Sequence, residues 1–550
     1  MTSVERLAEI CGGTLTGPWE GVEVTSAAIG SVDVQPGGLF CAVPGLKAHG
    51  ASFAADSKAA AVLTDAAGQR IIDDAPTPLP CIVVDDVRTW MGPVAAEIYD
   101  HPARQLKTIG ITGTSGKTTT SYLVEKALLD SGEKVGLIGT TGTRINGNPI
   151  PTSLTTPEAP TLQALLARMV SEGATHLVME VSSHALQLGR VHGVHFDVVA
   201  FTNLSQDHLD FHPTMEDYFQ AKALLFERTE DGQQPGTAVI CCEDEWGERM
   251  RAIAAKHSPT VALYPQGGSH AGEQGAPTWS IADTEVTPSG RQNIRLSVTG
   301  GDGAARELDY SIGMAGSFNQ ANSLVALACI EAATGEPLSS DSAAVKALAD
   351  VQVPGRMQLV EEGQEFLAMV DYAHKPGAVQ AVLSSLHDYL PAPEARIGIV
   401  LGAGGNRDHD KRPIMGRIAA ELADAVFITD DNPRDEEPST IREAIYAGAR
   451  EGVHKKQQQQ PGGETVCEVV PDRAEAIAAA VAWAKPGDAV VVAGKGHEKG
   501  QLVAGTMHPF DDVAELTAAL QQRVQSTHST HRAHSAQSTH STHSEGSDQR

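Results

Sequence analysis

Residues 106–122, Leu-Lys-Thr-Ile-Gly-Ile-Thr-Gly-Thr-Ser-Gly-Lys-Thr-Thr-Thr-Ser-Tyr, constrain this chain more than any other stretch. A β-branched run through Ile109 and Ile111 meets a turn with Gly113 and Gly116. Lys117 and Thr118 follow, then a helical pattern with Tyr122, Leu123, Ala127 and Leu128 apolar. Strand, glycine turn, Lys-Thr and helix form a phosphate cradle. Glycines let backbone N–H groups curl round an anion, and the helix N-terminus adds partial positive charge. Lys117 can reach the β- and γ-phosphates of a nucleotide, and the Thr118 hydroxyl can reach Mg²⁺. The spacing departs from a strict Walker A, which needs glycine where Ile111 stands. A plain glycine turn would explain the loop alone, but not the Lys-Thr-Thr-Thr run at a helix start.

The chain's 550 residues exceed one core, and length alone suggests about three or four domains. A net charge of −28 argues against a nucleic-acid or membrane-surface binder, which needs a basic face. Seven scattered cysteines without a Cys-x-x-Cys pair read as buried thiols. The N-terminus has no basic and apolar leader pattern, and no apolar run approaches a membrane span. A cytoplasmic protein is expected.

Hydrophobic patterning divides the chain. Residues 1–105 read as a small α/β unit, with strands at 39–43, 61–64 and 81–84 and a closing helix at 90–99. Residues 106–352 alternate strand and helix, the signature of a mostly parallel sheet. Strands are expected at 134–139, 176–180, 196–201 and 237–242, with hairpins over 265–305. Leu162, Leu165, Leu166, Met169 and Val170 share one helical face, and a further helix is expected at 319–333. Residues 353–525 repeat the alternation, with strands at 367–370, 396–401, 425–429 and 490–493. The segment 454–463, Lys- and Gln-rich before Pro-Gly-Gly, reads as a surface loop. From 526 on, Ser/Thr/His repeats read as a disordered tail. Its five histidines are expected to be solvated rather than metal-bound.

Strand ends in open parallel sheets carry sites, and here they are polar. Glu180 ends one strand, and Asp207 and His208 follow another. A carboxylate and an imidazole near a phosphate loop suit a divalent cation, where a lone Glu180 would be a buried capping acid. Lys222 lies in an otherwise apolar helix. It either snorkels, or is desolvated, more often neutral and open to modification. Further on, Arg412 and Arg434 can clamp a carboxylate, and Glu498 can pair with an ammonium. Together they suggest a zwitterion such as an amino acid. Asp435, Glu436 and Glu437 are also consistent with solvated loop charges.

The ordered motifs resemble the Mur ligase family over about residues 25–515. They are Gly-Thr-Ser-Gly-Lys-Thr-Thr (113–119), Leu-Thr-Thr-Pro (154–157), Met-Glu-Val-Ser-Ser-His-Ala-Leu (179–186) and Phe-Thr-Asn-Leu-Ser-Gln-Asp-His-Leu-Asp-Phe-His (201–212). Next come Ala-Lys-Ala-Leu-Leu-Phe (221–226), Gly-Ser-Phe-Asn-Gln-Ala-Asn (316–322), Val-Pro-Gly-Arg-Met (353–357) and Asp-Tyr-Ala-His-Lys-Pro (371–376). Asp-Asn-Pro-Arg (431–434) and Gly-Lys-Gly-His-Glu (494–498) complete the order.

The resemblance implies three α/β domains before the tail. A small N-terminal domain binds a UDP substrate, a central P-loop parallel-sheet domain binds ATP, and a C-terminal Rossmann-like domain binds an amino acid. Gly113, Thr114, Ser115, Gly116, Lys117, Thr118 and Thr119 match the family's ATP loop. Thr118, Glu180 and His208 match Mg²⁺ positions. Lys222 matches a lysine that becomes a carbamate and holds a second metal. Lys117, Glu180, His208 and Lys222 are thus the expected catalytic set. Asn319, Asn322, Arg356, Asp371 and His374 match positions around the nucleotide. Ser31, Thr155, Thr156, Ser182 and Arg190 match contacts to the UDP-linked substrate. Arg412, Asn432, Pro433, Arg434, Asp435, Gly494 and Glu498 match a diaminopimelate pocket.

The activity so implied is ATP-dependent amide ligation of meso-diaminopimelate to UDP-N-acetylmuramoyl-L-alanyl-D-glutamate, by a monomer. Its motifs come from separate domains, so closure is expected to assemble the site and exclude water. Alternatives are a lysine-adding relative, a folylpolyglutamate-synthase-like ligase, or a P-loop switch. The two downstream clusters argue against the switch, which needs no zwitterion pocket. Three residues depart from the family pattern: Val32 beside Ser31, Leu188 near Arg190, and Gln206 where arginine is more usual.

Overall fold

Apolar runs such as Val198–Phe201 and Ala489–Ala493 are buried along their whole length. Parallel strands covered by helices on both faces must be so. The computed structural model describes the chain except residues 46, 77, 153, 209–210, 231, 268–275, 288–290, 391–393, 407, 460–464 and 541–550, and the side chains of 388 and 527–540. It divides into two compact units. The first is Met1–Thr284, Ile294–Ile312 and Gln320–Val351; the second is Glu285–Asn293, Gly313–Asn319 and Gln352–Arg550.

Within the first unit, a five-stranded sheet runs in the order Thr14–Thr16, Cys81–Val83, Ala59–Thr64, Gly38–Cys41, Ala27–Ala28. The helix Val87–Ile98 packs its Met91, Val94 and Ala95 into that core. It begins three residues before the expected 90, because Asp86 caps it by accepting from the Arg88 and Thr89 amides. The larger sheet is centred on Lys107–Thr112. His176–Glu180 lies on one side of it and Val198–Phe201 on the other, both parallel. Val135–Gly139 then adds beside His176–Glu180, and Thr237–Cys241 beside Val198–Phe201. The hairpins expected over 265–305 are the strands Thr278–Val286, Gln292–Thr299 and Ala305–Ile312 at the far edge; residues 268–275 and 288–290 lie outside the described residues.

The second unit holds a six-stranded sheet. Its order is Gln358–Leu359, Leu367–Asp371, Ala489–Ala493, Ile397–Leu401, Ala425–Ile428, Val466–Val469, parallel except for the first pair. Helices Pro376–Tyr389, Lys411–Leu422, Pro438–Gln459 and Arg473–Trp483 alternate with these strands. Asp371, Leu401, Ile428 and Ala493 all end at one edge, so the loops after them form a common rim.

One expectation is corrected. Residues 454–459 are not loop but the last turns of the helix Pro438–Gln459. Lysine and glutamine are strong helix formers, and Lys456 ties this end down by donating to Ala423 O and Asp424. Residues 460–463 of that segment lie outside the described residues. Of the expected tail, the backbone continues the helix Asp512–His540, and 541–550 are not described. All seven cysteines are free thiols. Among the described residues, no helix is long and apolar enough to cross a membrane.

Candidate active site

The phosphate loop follows Lys107–Thr112 and ends at Gly116, the N-cap of the helix Lys117–Asp130. Its backbone needs its glycines. Gly113 sits at φ +150°, where a Cβ would lie 1.9 Å from Thr202 Oγ1; Gly116 sits at φ +86°, where a Cβ would lie 2.2 Å from Asn322 Oδ1. Positive φ and these close approaches exclude other residues. The loop is pinned from the neighbouring strand's exit. Asn203 O accepts from the Thr114 amide and Asn203 Oδ1 from the Ser115 amide, each at 2.9 Å. Thr202 Oγ1 donates to Ser115 O at 2.6 Å. Lys117 Nζ donates to Gly113 O at 2.7 Å and Thr114 O at 2.9 Å. Thr118 and Thr119 are buried in the first helical turn.

Glu180 ends its strand buried, one strand over from the loop. Thr140 holds both of its carboxylate oxygens, the amide at 2.9 Å and the hydroxyl at 3.0 Å. The Thr140 hydroxyl also meets that of Thr155 at 3.2 Å. Thr156 Oγ1 donates to Glu180 O and accepts from the Ser182 amide. Ser182 caps the helix Ser183–Gln187. Arg190 donates to Thr156 O at 3.2 Å and pairs with Glu158 at 2.9 Å. Its Nε is buried with no hydrogen-bond partner among the described residues. Thr155, Thr156, Ser182 and Arg190 are thus brought together beside Glu180. Ser31 lies in the turn closed by Asp33 N and Gly30 O, and among the described residues no hydrogen bond or ion pair joins it to that group. Its neighbour Val32 is 90% exposed.

Lys222, 1% exposed, settles on burial rather than snorkelling. Its Nζ donates to Gly113 O at 2.8 Å and lies 4.4 Å from the Tyr218 ring centroid. Burial, and then the nearby Lys117 charge, push its pKa well below an ordinary lysine's, against an opposing pull from Asp207. His208 adopts φ +54°, pairs with Asp207 at 3.5 Å and packs edge-on to His184. Among the described residues there is no group of three or more His, Cys, Asp or Glu side chains poised for a metal. The available donors are the Thr118 hydroxyl, the Glu180 carboxylate and the His208 imidazole. The oxygen donors suit a hard cation such as Mg²⁺, and Thr140 takes one lone pair from each Glu180 oxygen while leaving others.

The second unit carries further candidates, several on the loops after its strands, while Asn322 belongs to the first unit beside Gly116. Asp371 is buried and accepts from the Met357 and Ala373 amides at 2.9 and 2.8 Å. Burial raises its pKa, opposed by Arg356 and those amides. The Arg356 guanidinium lies 4.8 Å from the Tyr372 ring centroid, and among the described residues its buried Nε has no hydrogen-bond partner. His374 bonds Tyr372 O at 2.8 Å, and burial lowers its pKa. Asn319 Nδ2 donates to Ala315 O at 2.7 Å.

Arg412 is 2% exposed and pairs with Glu436 at 2.9 Å, so Glu436 is not a solvated loop charge. Arg412 also donates to Gly404 O, yet among the described residues its buried Nε has no hydrogen-bond partner. Arg434, at φ +55°, is clamped as backbone: its amide donates to Leu502 O and its carbonyl accepts from Ala504 N. Its guanidinium donates to Gly405 O at 2.6 Å. Asn432 Nδ2 donates to Glu498 at 2.8 Å. Asp435 accepts from Asn406 at 3.4 Å, Gly494 N donates to Asp371 O, and Pro433 O approaches Gly405. Arg412, Asn432, Arg434 and Glu498 therefore share one rim, two cations and one carboxylate apart from their supports. Patterning missed Thr140, Glu158 and Glu436, because partners across a sheet or between loops leave no periodic signal.

The family model for the Mur ligase middle domain matches residues 111–330, and that for the Mur ligase glutamate ligase domain matches 355–496. The chain is 49% identical over 532 residues to a UDP-N-acetylmuramoyl-L-alanyl-D-glutamate–2,6-diaminopimelate ligase of Corynebacterium glutamicum, covering 94% of this chain and 98% of that one. It is 45% identical over 527 residues to the ligase of the same name from Streptomyces avermitilis, covering 94% and 97%. A solved structure of such a ligase superposes with a TM-score of 0.66 at 30% identity, covering 94% of this chain and 99% of that one. With its phosphate loop, its polar strand ends and this similarity along nearly its whole length, the chain belongs to the Mur ligase family of ATP-dependent amide-forming ligases.

Proposed function

We propose that this protein joins meso-diaminopimelate to the D-glutamyl carboxylate of UDP-N-acetylmuramoyl-L-alanyl-D-glutamate at the expense of ATP, a step in peptidoglycan precursor synthesis. The observation that carries this is the 49% identity over 94% of the chain to a ligase of that name. The rim bearing Arg412, Arg434 and Glu498 supports it. The reading carries with it a monomer in the cytoplasm, where ATP and UDP-sugars are available.

The chemistry is phosphoryl transfer followed by aminolysis. The loop amides of 113–119 bind the ATP phosphates, and Lys117 offsets charge on the transferring group. The γ-phosphoryl passes to the substrate carboxylate, releasing ADP and leaving an acyl phosphate. Thr155, Thr156, Ser182 and Arg190 hold the UDP-linked substrate, and the buried unpartnered Nε of Arg190 is a donor ready for an anionic oxygen. Arg412 and Arg434 hold a carboxylate of diaminopimelate and Glu498 an ammonium, orienting the free amine. That amine attacks the acyl carbon, loses a proton, and the tetrahedral intermediate expels phosphate to leave the amide.

Thr118, Glu180 and His208 would hold Mg²⁺, which screens phosphate charge when bound. Lys222 is suited to carbamylation: its buried amine is more often neutral, and a neutral amine adds to carbon dioxide with loss of one proton. The resulting anion would relieve the meeting of two ammonium groups at Gly113 O.

An acceptor panel tests the reading. ADP and phosphate release is measured with the UDP-linked dipeptide and diaminopimelate, lysine or glutamate in turn. Turnover with diaminopimelate alone is expected. Turnover with lysine or glutamate instead, or without any acceptor, would overturn it.

A further inference from the structure

Lys495 is fully buried. Its ammonium lies 3.1 Å from Asp431 Oδ1 and donates to Asn432 Oδ1 at 3.0 Å and Gly500 O at 2.9 Å. A second donor, the Leu502 amide, reaches the same Asn432 oxygen at 2.9 Å. An ammonium and a backbone N–H can only donate. The Asn432 atom that receives both must therefore be the carbonyl oxygen, which leaves its amide nitrogen facing Glu498 Oε2 at 2.8 Å. The orientation of this amide follows from the hydrogen-bond network.

We propose that Lys495 is a positioning residue for the amino-acid pocket: by holding Asn432 Oδ1 it turns the Asn432 amide toward Glu498 and fixes that carboxylate where it meets the ammonium of the incoming amino acid. The inference rests on the reading of Glu498 as an ammonium partner. Without Lys495, Asn432 keeps only the Leu502 amide as its anchor, and a flipped amide would set its oxygen against the Glu498 carboxylate. Two acceptors cannot bond, so Glu498 would leave its place. Lys495 also offsets the Asp431 carboxylate, which adjoins Asn432 in the same loop. One buried cation thus sets the positions of two residues on two different loops, with no contact to the ligand itself.

The test uses the full-length protein and two acceptors. One is meso-diaminopimelate. The other is 2-aminopimelate, which keeps the attacking amine and both carboxylates but lacks the distal ammonium. Lys495→Met is expected to raise KM for diaminopimelate about ten- to a hundredfold, the effect of losing a well-placed charged hydrogen bond. KM for ATP and KM for 2-aminopimelate should stay within about twofold of wild type. Should Lys495→Met fail to fold, Lys495→Arg carries the same comparison, since it keeps the charge beside Asp431 but not the geometry at Asn432. Equal losses for both acceptors, or an unchanged KM for diaminopimelate, would overturn the proposal. Failure of the wild-type protein to use diaminopimelate would instead bring down the pocket reading, and this inference with it.

Discussion

Lys117 and Lys222 donate to one acceptor, the carbonyl oxygen of Gly113, from 2.7 and 2.8 Å. The two lysines stand more than a hundred positions apart in sequence, on different helices. Like charges around one oxygen are unfavourable, the more so when one is fully buried. Lys117 stands at the end of the glycine loop, and in the proposed mechanism its charge meets the ATP phosphates. Among the described residues no carboxylate lies in hydrogen-bond range of Lys222, and its burial favours the neutral amine.

Lys222→Met should therefore separate activity from stability. Ligation is lost, and added bicarbonate does not restore it. Gly113 O keeps Lys117 as a donor, so no acceptor is orphaned, and the fold should gain about 1–3 kcal/mol from removing a poorly solvated amine. The sign of the pH effect follows from the depressed folded-state pKa. Between that value and the ordinary lysine value, the unfolded chain binds the proton that the folded chain does not, so stability rises with pH across this window. Below it the full penalty is present. In carbon-dioxide-free buffer, denaturant titrations should show that slope in the wild type and a flatter one in the variant. Full activity in the variant would sink the carbamate role.

Acid should weaken diaminopimelate binding earlier than an ordinary glutamate predicts. Burial pushes the Glu498 carboxyl up, opposed by the Asn432 hydrogen bond and by Lys495 and Arg434. In the proposed pocket the ionised form meets an ammonium, so KM should climb as pH falls through this raised value. Steady-state kinetics across pH check it. Glu498→Gln should show a high KM with no acid limb.

Arg434→Ala should raise KM for diaminopimelate about a hundredfold or more, as expected for a charge-assisted pair, and leave ATP binding intact. Its backbone stays held by Leu502 and Ala504, which protects the loop from collapse. Calorimetric titration with ATP and kinetics with the amino acid distinguish the two effects. Unchanged affinity for diaminopimelate would show that Arg434 is not in the pocket.

Gly116→Ala should damage the loop by two routes. Its φ of +86° is strained for alanine, and the new methyl group would lie 2.2 Å from Asn322 Oδ1. A loss of about 1–3 kcal/mol in stability is expected, together with loss of nucleotide binding. Thermal unfolding with and without ATP reads both; a variant still stabilised by ATP as the wild type is would refute the cradle.

The phosphate loop, the alternating α/β architecture and the motif order were legible in the residues themselves. Glycine turns, buried apolar strands and helix faces are local signals, set by backbone sterics and hydrophobic period. Residues 454–459 are helix where composition predicts loop, because local composition carries no trace of the distant Asp424 that anchors Lys456. By sequence Lys222 is equally consistent with snorkelling and desolvation, since an apolar helix does not reveal whether the ammonium finds water. Only the folded chain places it on Gly113 O with Lys117. Tertiary structure likewise decided that Thr140 holds Glu180, that Glu436 is committed to Arg412, and that Lys495 sets the Asn432 amide. Each is a hydrogen bond or ion pair between segments brought together by strand order, and strand order is written in no single stretch of sequence.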